Sequence, residues 1–132
     1  MAHDAARDAI IGLWRLVSYE DRENEARAWM PTDGGHLSGL AVYHSSGMLS
    51  VQLFASPGSG SIAYHVGYIG TFGVREAGRD GEGFSGVVEH RMQSASDPAL
   101  LALDVARQFW VSGDRLMLSD GHTWRRTFER IL

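Results

Sequence analysis

Nine short extended stretches follow one another along the 132 residues, each closed by a cluster of Gly, Asp, Asn, Ser or Pro. They run over 13–20, 26–30, 39–44, 48–54, 62–74, 84–93, 105–111, 115–119 and 123–130. No other property narrows the choice of fold so far. The separators "DREN", "SSG", "SPGSG", "AGRDGEG", "SGD" and "SDG" are turn chemistry, so consecutive strands are expected to be hairpin neighbours in an antiparallel meander. Eight or nine such strands, with nothing to cover a flat sheet, satisfy their edges most simply by closing on themselves. The predicted fold is therefore all-β: a closed antiparallel up-and-down β-barrel of about eight strands with a short N-terminal helix. A barrel of that size can just hold one small ligand.

The helix is read from "DAARDAII", with Asp4 as N-cap, Ala5 and Ala9 on its apolar face and Gly12 as its stop. Two connections are longer than the rest, 31–39 and 94–104, and loops of that kind often guard a barrel mouth. With no repeat, linker or low-complexity tract, residues 1–132 are expected to form one domain.

Composition then excludes classes of function. A net charge of -4, without a Lys/Arg stripe, argues against nucleic acid as a partner. The absence of cysteine removes disulfides, thiolate metal sites and cysteine nucleophiles together. No run of 18 apolar residues occurs and the first twelve lack the apolar core of a signal peptide, so a cytoplasmic protein without a membrane span is expected.

Three motifs that could carry chemistry have plainer readings. "GEGFSG" (81–86) matches G-x-G-x-x-G, but strand follows it where a dinucleotide site needs a helix, so it is a hairpin turn. His36, His44, His65, His90 and His122 show no metal-ligand spacing, and neither metal nor cofactor is expected. The serines of "SGMLS" and "SPGSGS" lack a nucleophile elbow and sit where turns need small residues.

Strand parity is more informative. In 62–74 the bulkier face carries Ile62, Tyr64, Val66, Tyr68, Gly70, Phe72 and Val74 and is expected to point inward. The same parity in 84–93 puts His90 in a row with Phe84, Val88 and Met92. In 105–111 it puts Arg107 among Val105, Phe109 and Val111. An inward arginine needs a carboxylate, water or a ligand as partner. Tyr64, Tyr68, His90 and Arg107, with Phe72 and Phe109 on the same faces, are the candidate ligand-binding residues. His90, Tyr64 and Tyr68 are the candidates should the protein be an enzyme.

Gly12-Leu13-Trp14 in the first strand, together with "HTWRRTFE" in the last, resembles the calycin pattern, in which an early tryptophan packs at the barrel floor beneath an arginine of the final strand. More closely, "IIGLWRLVSYE", "GLAVYHSSGMLSVQLF", "YIGTFGV", "VEHRMQS", "RQFWVSGDRLMLSD" and "TWRR" resemble the bacterial lipocalin-like domain family over about residues 10–128. The resemblance implies a closed barrel with an internal pocket for a small apolar or amphipathic molecule. It also implies structural roles for Gly12, for Trp14 and for Arg126 as the cation across it, with Arg125 as the alternative.

Three functions fit this reading. The first is binding of a small hydrophobic molecule in the barrel. The second is a small isomerase or cyclase acting on a polyketide- or terpenoid-like substrate by general acid/base and shape control. The third is a structural role, with a homodimer formed through Trp29 or Trp110.

Overall fold

The computed structural model describes residues 2–31, 37–55, 64–98 and 104–132, excluding the side chains of residues 2, 3, 55, 64 and 104. The helix α1 (Ala2–Ile10) leads into β1 (Gly12–Asp21), β2 (Met30–Pro31), β3 (Leu37–Tyr43), β4 (Met48–Ala55) and β5 (Tyr64–Asp80). β6 (Gly83–Ala95), β7 (Asp104–Ser112), β8 (Arg115–Ser119) and β9 (Trp124–Arg130) complete the chain. Every strand from β3 to β9 pairs antiparallel with its sequence neighbour, β1 pairs with β3, and β9 returns to pair with β1. The result is the closed eight-strand antiparallel barrel with one short helix that the turn cadence predicts. The ninth strand, β2, is a two-residue ribbon against Glu20 and Asp21 on the barrel's rim.

The two ends of the barrel differ. The tight turns joining β3 to β4, β5 to β6 and β7 to β8 share one end with α1, which contributes the fully buried Ala6 and Ile10 as a plug. The apolar face of α1 is thus the i, i+4 pair Ala6 and Ile10 rather than Ala5, which is exposed. Because the helix already begins at Ala2, Asp4 lies in its first turn instead of capping it. All longer connections emerge at the opposite end, the mouth, and residues 32–36, 56–63 and 99–103 of them lie outside the described part. The middle of each expected loop, together with His36, Ile62 and Ala63, falls there, while residues 37–39 and 94–95 of those loops are already strand.

The Gly12-x-Trp14 signature proves to be a device for ending the helix against the barrel floor. A helix leaves its last carbonyls without partners. Here the Trp14 indole donates to the Ile10 carbonyl at 2.9 Å, and Arg130 donates to the Ala9 and Ile11 carbonyls at 2.8 and 2.7 Å. The Arg130 guanidinium lies 4.3 Å from the centre of the Trp14 ring, a cation–π contact over a fully buried indole. Gly12 has φ +152, and a Cβ there would collide with the Arg130 side chain and lie 2.6 Å from the Leu132 carbonyl oxygen. The expectation for Arg126 and Arg125 is corrected at this point: the cation across Trp14 is Arg130. Trp14 lies near the start of β1, and in an antiparallel pair its partner must lie near the end of β9. The register therefore places Trp14 opposite Arg130 and Tyr19 opposite Arg126.

Two further expectations shift for local reasons. The stretch 26–30 is strand only at Met30, because Trp29 is taken up between the guanidiniums of Arg22 and Arg125, 4.1 and 4.4 Å from its ring centre. Strand β5 runs on to Asp80, so the expected loop after Val74 shrinks to Gly81–Glu82. The extra residues are absorbed by a bulge between Arg75 and Gly78, where Glu76 takes φ +55. The run 81–86 is accordingly a hairpin turn leading into β6. Among the described residues no helix is long and apolar enough to cross a membrane.

Candidate functional site

Alternation along each strand decides which side chains meet inside the barrel. Beneath the mid-section the interior is apolar, filled by Trp14, Leu49, Val111, Leu116 and Phe128. Polar groups begin above this floor. Strands β5 and β6 keep the predicted parity: Tyr68, Phe72, Val88, His90 and Met92 are all at least nine-tenths buried. Tyr64 opens β5 opposite Ala55, and its side chain lies outside the described part. In β7, Phe109 and Val111 are buried and Arg107 shares their face.

His90 is 1% exposed, and both of its ring nitrogens are taken. Nε2 lies 2.7 Å from the Tyr43 hydroxyl and Nδ1 lies 2.8 Å from the Tyr68 hydroxyl. In the neutral ring one nitrogen donates to its tyrosine hydroxyl and the other accepts from its own. The Arg107 guanidinium bears on the Tyr68 hydroxyl and pulls its pKa down against burial. Burial first, then the positive charges of Arg107 and Arg126, push the His90 pKa down from 6.5 to about 3. Burial likewise raises both tyrosines above their ordinary value, against the pull of the two arginines. At neutral pH the dyad of tyrosines and its histidine are therefore uncharged.

The arginines supply the only charge of this cluster. Arg107 lies 4.9 Å and Arg126 4.5 Å from the Trp124 ring centre, and Arg126 also stacks 4.7 Å from the ring of Tyr19. Arg126 donates to the Tyr19 hydroxyl at 3.0 Å. The Nε atoms of Arg107 and Arg126 are both buried and have no hydrogen-bond partner. Ion pairs among the described residues engage Arg15, Arg75, Arg91, Arg125, Arg130 and His122; neither Arg107 nor Arg126 takes part in one.

The mouth side of this cluster is apolar again. Tyr19, Leu37, Val66, Ala95, Val105 and Trp124, each near the mouth end of its strand, are partly buried against the core. Trp124 is fixed by the β8–β9 turn, in which Asp120 accepts from the backbone N–H of His122, Thr123 and Trp124 and from the Thr123 hydroxyl. Those bonds outweigh the upward push of burial and hold the Asp120 carboxyl well below its usual range. An open cleft of about 680 Å³ on the rim, lined by Asp21, Arg22, Glu23, Arg27, Ala28 and Met30, includes none of these interior groups.

The structure thus brings Tyr68, His90 and Arg107 together, as strand parity suggests. Phe72 lies towards the helix, edge-on to Tyr43 at 5.0 Å and 5.2 Å below the Arg7 guanidinium. Phe109 belongs to an inner row with Leu118, Arg126 and Tyr19 across β7, β8, β9 and β1. Sequence reasoning misses Tyr43, Tyr19, Trp124 and the interior place of Arg126. In β3 the more apolar alternate face is Leu40 and Val42, yet Leu40 is 41% exposed while Ala41 and Tyr43 are buried. Trp14 faces Ala41 across the β1–β3 pair, so the larger side chain lies against a smaller one and the face is decided. The signal for Arg126 was present: it shares alternation with Trp124 and Phe128, and only its height along the barrel axis was misread.

Among the described residues no three His, Asp or Glu side chains gather into a set that could hold a metal ion. Comparison with known proteins finds no matching protein-family model, no matching curated protein and no matching solved structure. The barrel's architecture is compatible with a calycin-like fold.

Proposed function

We propose that this protein binds a small amphipathic molecule inside its barrel, as the resemblance to bacterial lipocalin-like domains implies. One observation carries the reading: an inward-facing cluster of Tyr43, Tyr68, His90, Arg107 and Arg126 stands between an apolar floor and a partly exposed apolar mouth. A small-molecule site needs that combination, an apolar lining with a few placed polar groups. A core with no occupant to serve would gain by replacing such groups with packed hydrocarbon.

The alternative is an isomerase or cyclase acting on a polyketide- or terpenoid-like substrate. It requires a group that exchanges a proton near neutral pH. His90 at about 3, with both nitrogens already bonded, and two tyrosines raised above their ordinary value support binding rather than proton transfer.

Native mass spectrometry of freshly purified protein, paired with a titration of the neutral dye Nile red, tests the reading. The expected result is a co-purifying mass that is lost on denaturation, or saturable dye uptake that a Leu53→Trp substitution near the mouth blocks. A bare chain that takes up no dye would overturn it.

A further inference from the structure

Resting on that interior-binding reading, we infer that the occupant carries an anionic group, a carboxylate or another oxyanion of similar size. Arg107 and Arg126 hold it on an apolar or aromatic body. The argument is one of charge balance. Two guanidiniums project into the barrel beside Trp124, each held by aromatic stacking, and Arg126 donates to the Tyr19 hydroxyl. None of these contacts neutralises charge. Both arginines are partly buried with the Nε edge out of water, which is costly unless an anion faces it, and no ion pair among the described residues engages either.

The two buried Nε atoms without partners mark where that anion would bond. A guanidinium offers Nε–H and one Nη–H as a planar fork that matches the two oxygens of a carboxylate. Here stacking on Trp124 fixes the plane of each fork, Arg126 spends one Nη2 bond on Tyr19, and the Nε–H of each arginine stands without a partner. Burial holds Tyr43 and Tyr68 neutral against the pull of the arginines, and burial together with the arginines' charges holds His90 neutral, so none supplies the missing charge from within. The neighbouring aromatics Tyr19 and Trp124 would cover the first part of the body attached to the anion.

The test uses the full chain and two matched pairs of probes that differ only at the polar end: dodecanoate with 1-dodecanol, and 2-naphthoate with 2-acetylnaphthalene. Each is measured by displacement of Nile red at neutral pH. An acid is expected to bind roughly 10- to 100-fold more tightly than its neutral partner, the range of a charge-assisted hydrogen bond. Arg107→Gln and Arg126→Gln should each bring the two within about threefold, chiefly by weakening the acid. Without ligand, neither substitution should lower Tm, because each removes an uncompensated interior charge. Arg107→Lys and Arg126→Lys should retain a preference for the acid.

Acid and neutral probes that bind alike to the wild type would overturn the anion site and leave interior binding standing. Glutamine variants that lose Tm while keeping the acid preference would make the arginines structural and overturn it as well. Failure of Nile red and of all four probes to bind would overturn both readings together.

Discussion

Lowering the pH should destabilise this protein through one residue, His90, well before its carboxylates take part. In an unfolded chain the imidazole accepts a proton near 6.5, whereas in the barrel burial, followed by the charges of Arg107 and Arg126, delays protonation to about 3. Between those values the unfolded state binds more protons than the folded state, so stability falls as pH falls. The two constants give a loss of about 2 kcal/mol between about pH 7.5 and pH 5, and roughly 5 kcal/mol as an upper bound once pH reaches 3. The same protonation would also break whichever hydrogen bond a tyrosine hydroxyl donates to the ring, since both nitrogens of His90⁺ can only donate. Urea unfolding followed by tryptophan fluorescence, for the wild type and for His90→Gln, measures the effect. Glutamine keeps a donor and an acceptor for the two tyrosines but does not titrate, and its curve should lack the 2 kcal/mol loss. Glu25, Glu89 and Asp120, whose pKa values are lowered in the fold, add acid sensitivity below the ordinary carboxylate range, and they cancel in the comparison. Long-range ¹H–¹⁵N spectra of the His90 ring should still show a neutral imidazole at pH 5. Parallel stability curves for the two proteins, or an imidazole that titrates near 6.5, would refute the reasoning.

Two further expectations concern the fold. Arg130→Met should cost about 2–3 kcal/mol by releasing the carbonyls of Ala9 and Ile11 and the contact with Trp14, with amide exchange accelerating in α1 first; a loss below about 0.5 kcal/mol would contradict the helix-ending role. Gly70→Ala should be strongly destabilising, by about 2 kcal/mol or more, because the new Cβ runs into the Arg91 carbonyl oxygen across β5 and β6, while Gly73→Ala, which meets nothing within 4 Å, should be neutral or slightly stabilising. Thermal melts of the pair separate the two cases.

Parts of the site were legible from alternation. Tyr68, His90 and Arg107 could be assigned to the interior because β5, β6 and β7 keep a period of two through the mid-barrel. The bulge that reverses parity in β5 falls beyond Val74, outside the residues used. Tyr43 escaped because β3 carries apolar residues on both faces, and hydrophobicity then gives no direction. Arg126 was placed on the correct face at the wrong depth, since parity fixes the face of a side chain but not its height along the barrel. Trp29 stands out in the sequence by its hydrophobicity, and the structure adds the guanidiniums of Arg22 and Arg125 at 4.1 and 4.4 Å from its ring centre.

By itself the sequence determined the strand count, the meander order, the closure of the sheet and the helix at one end. These follow from local physics, namely alternation of apolar residues and the turn chemistry between them. Only the tertiary structure decided which arginine serves the floor and which two face the interior. It alone joined Tyr43 and Tyr68, which lie on different strands, through one histidine. The reason is register: a barrel sets the stagger of its strands by the simultaneous packing of all eight, a quantity that no single strand encodes.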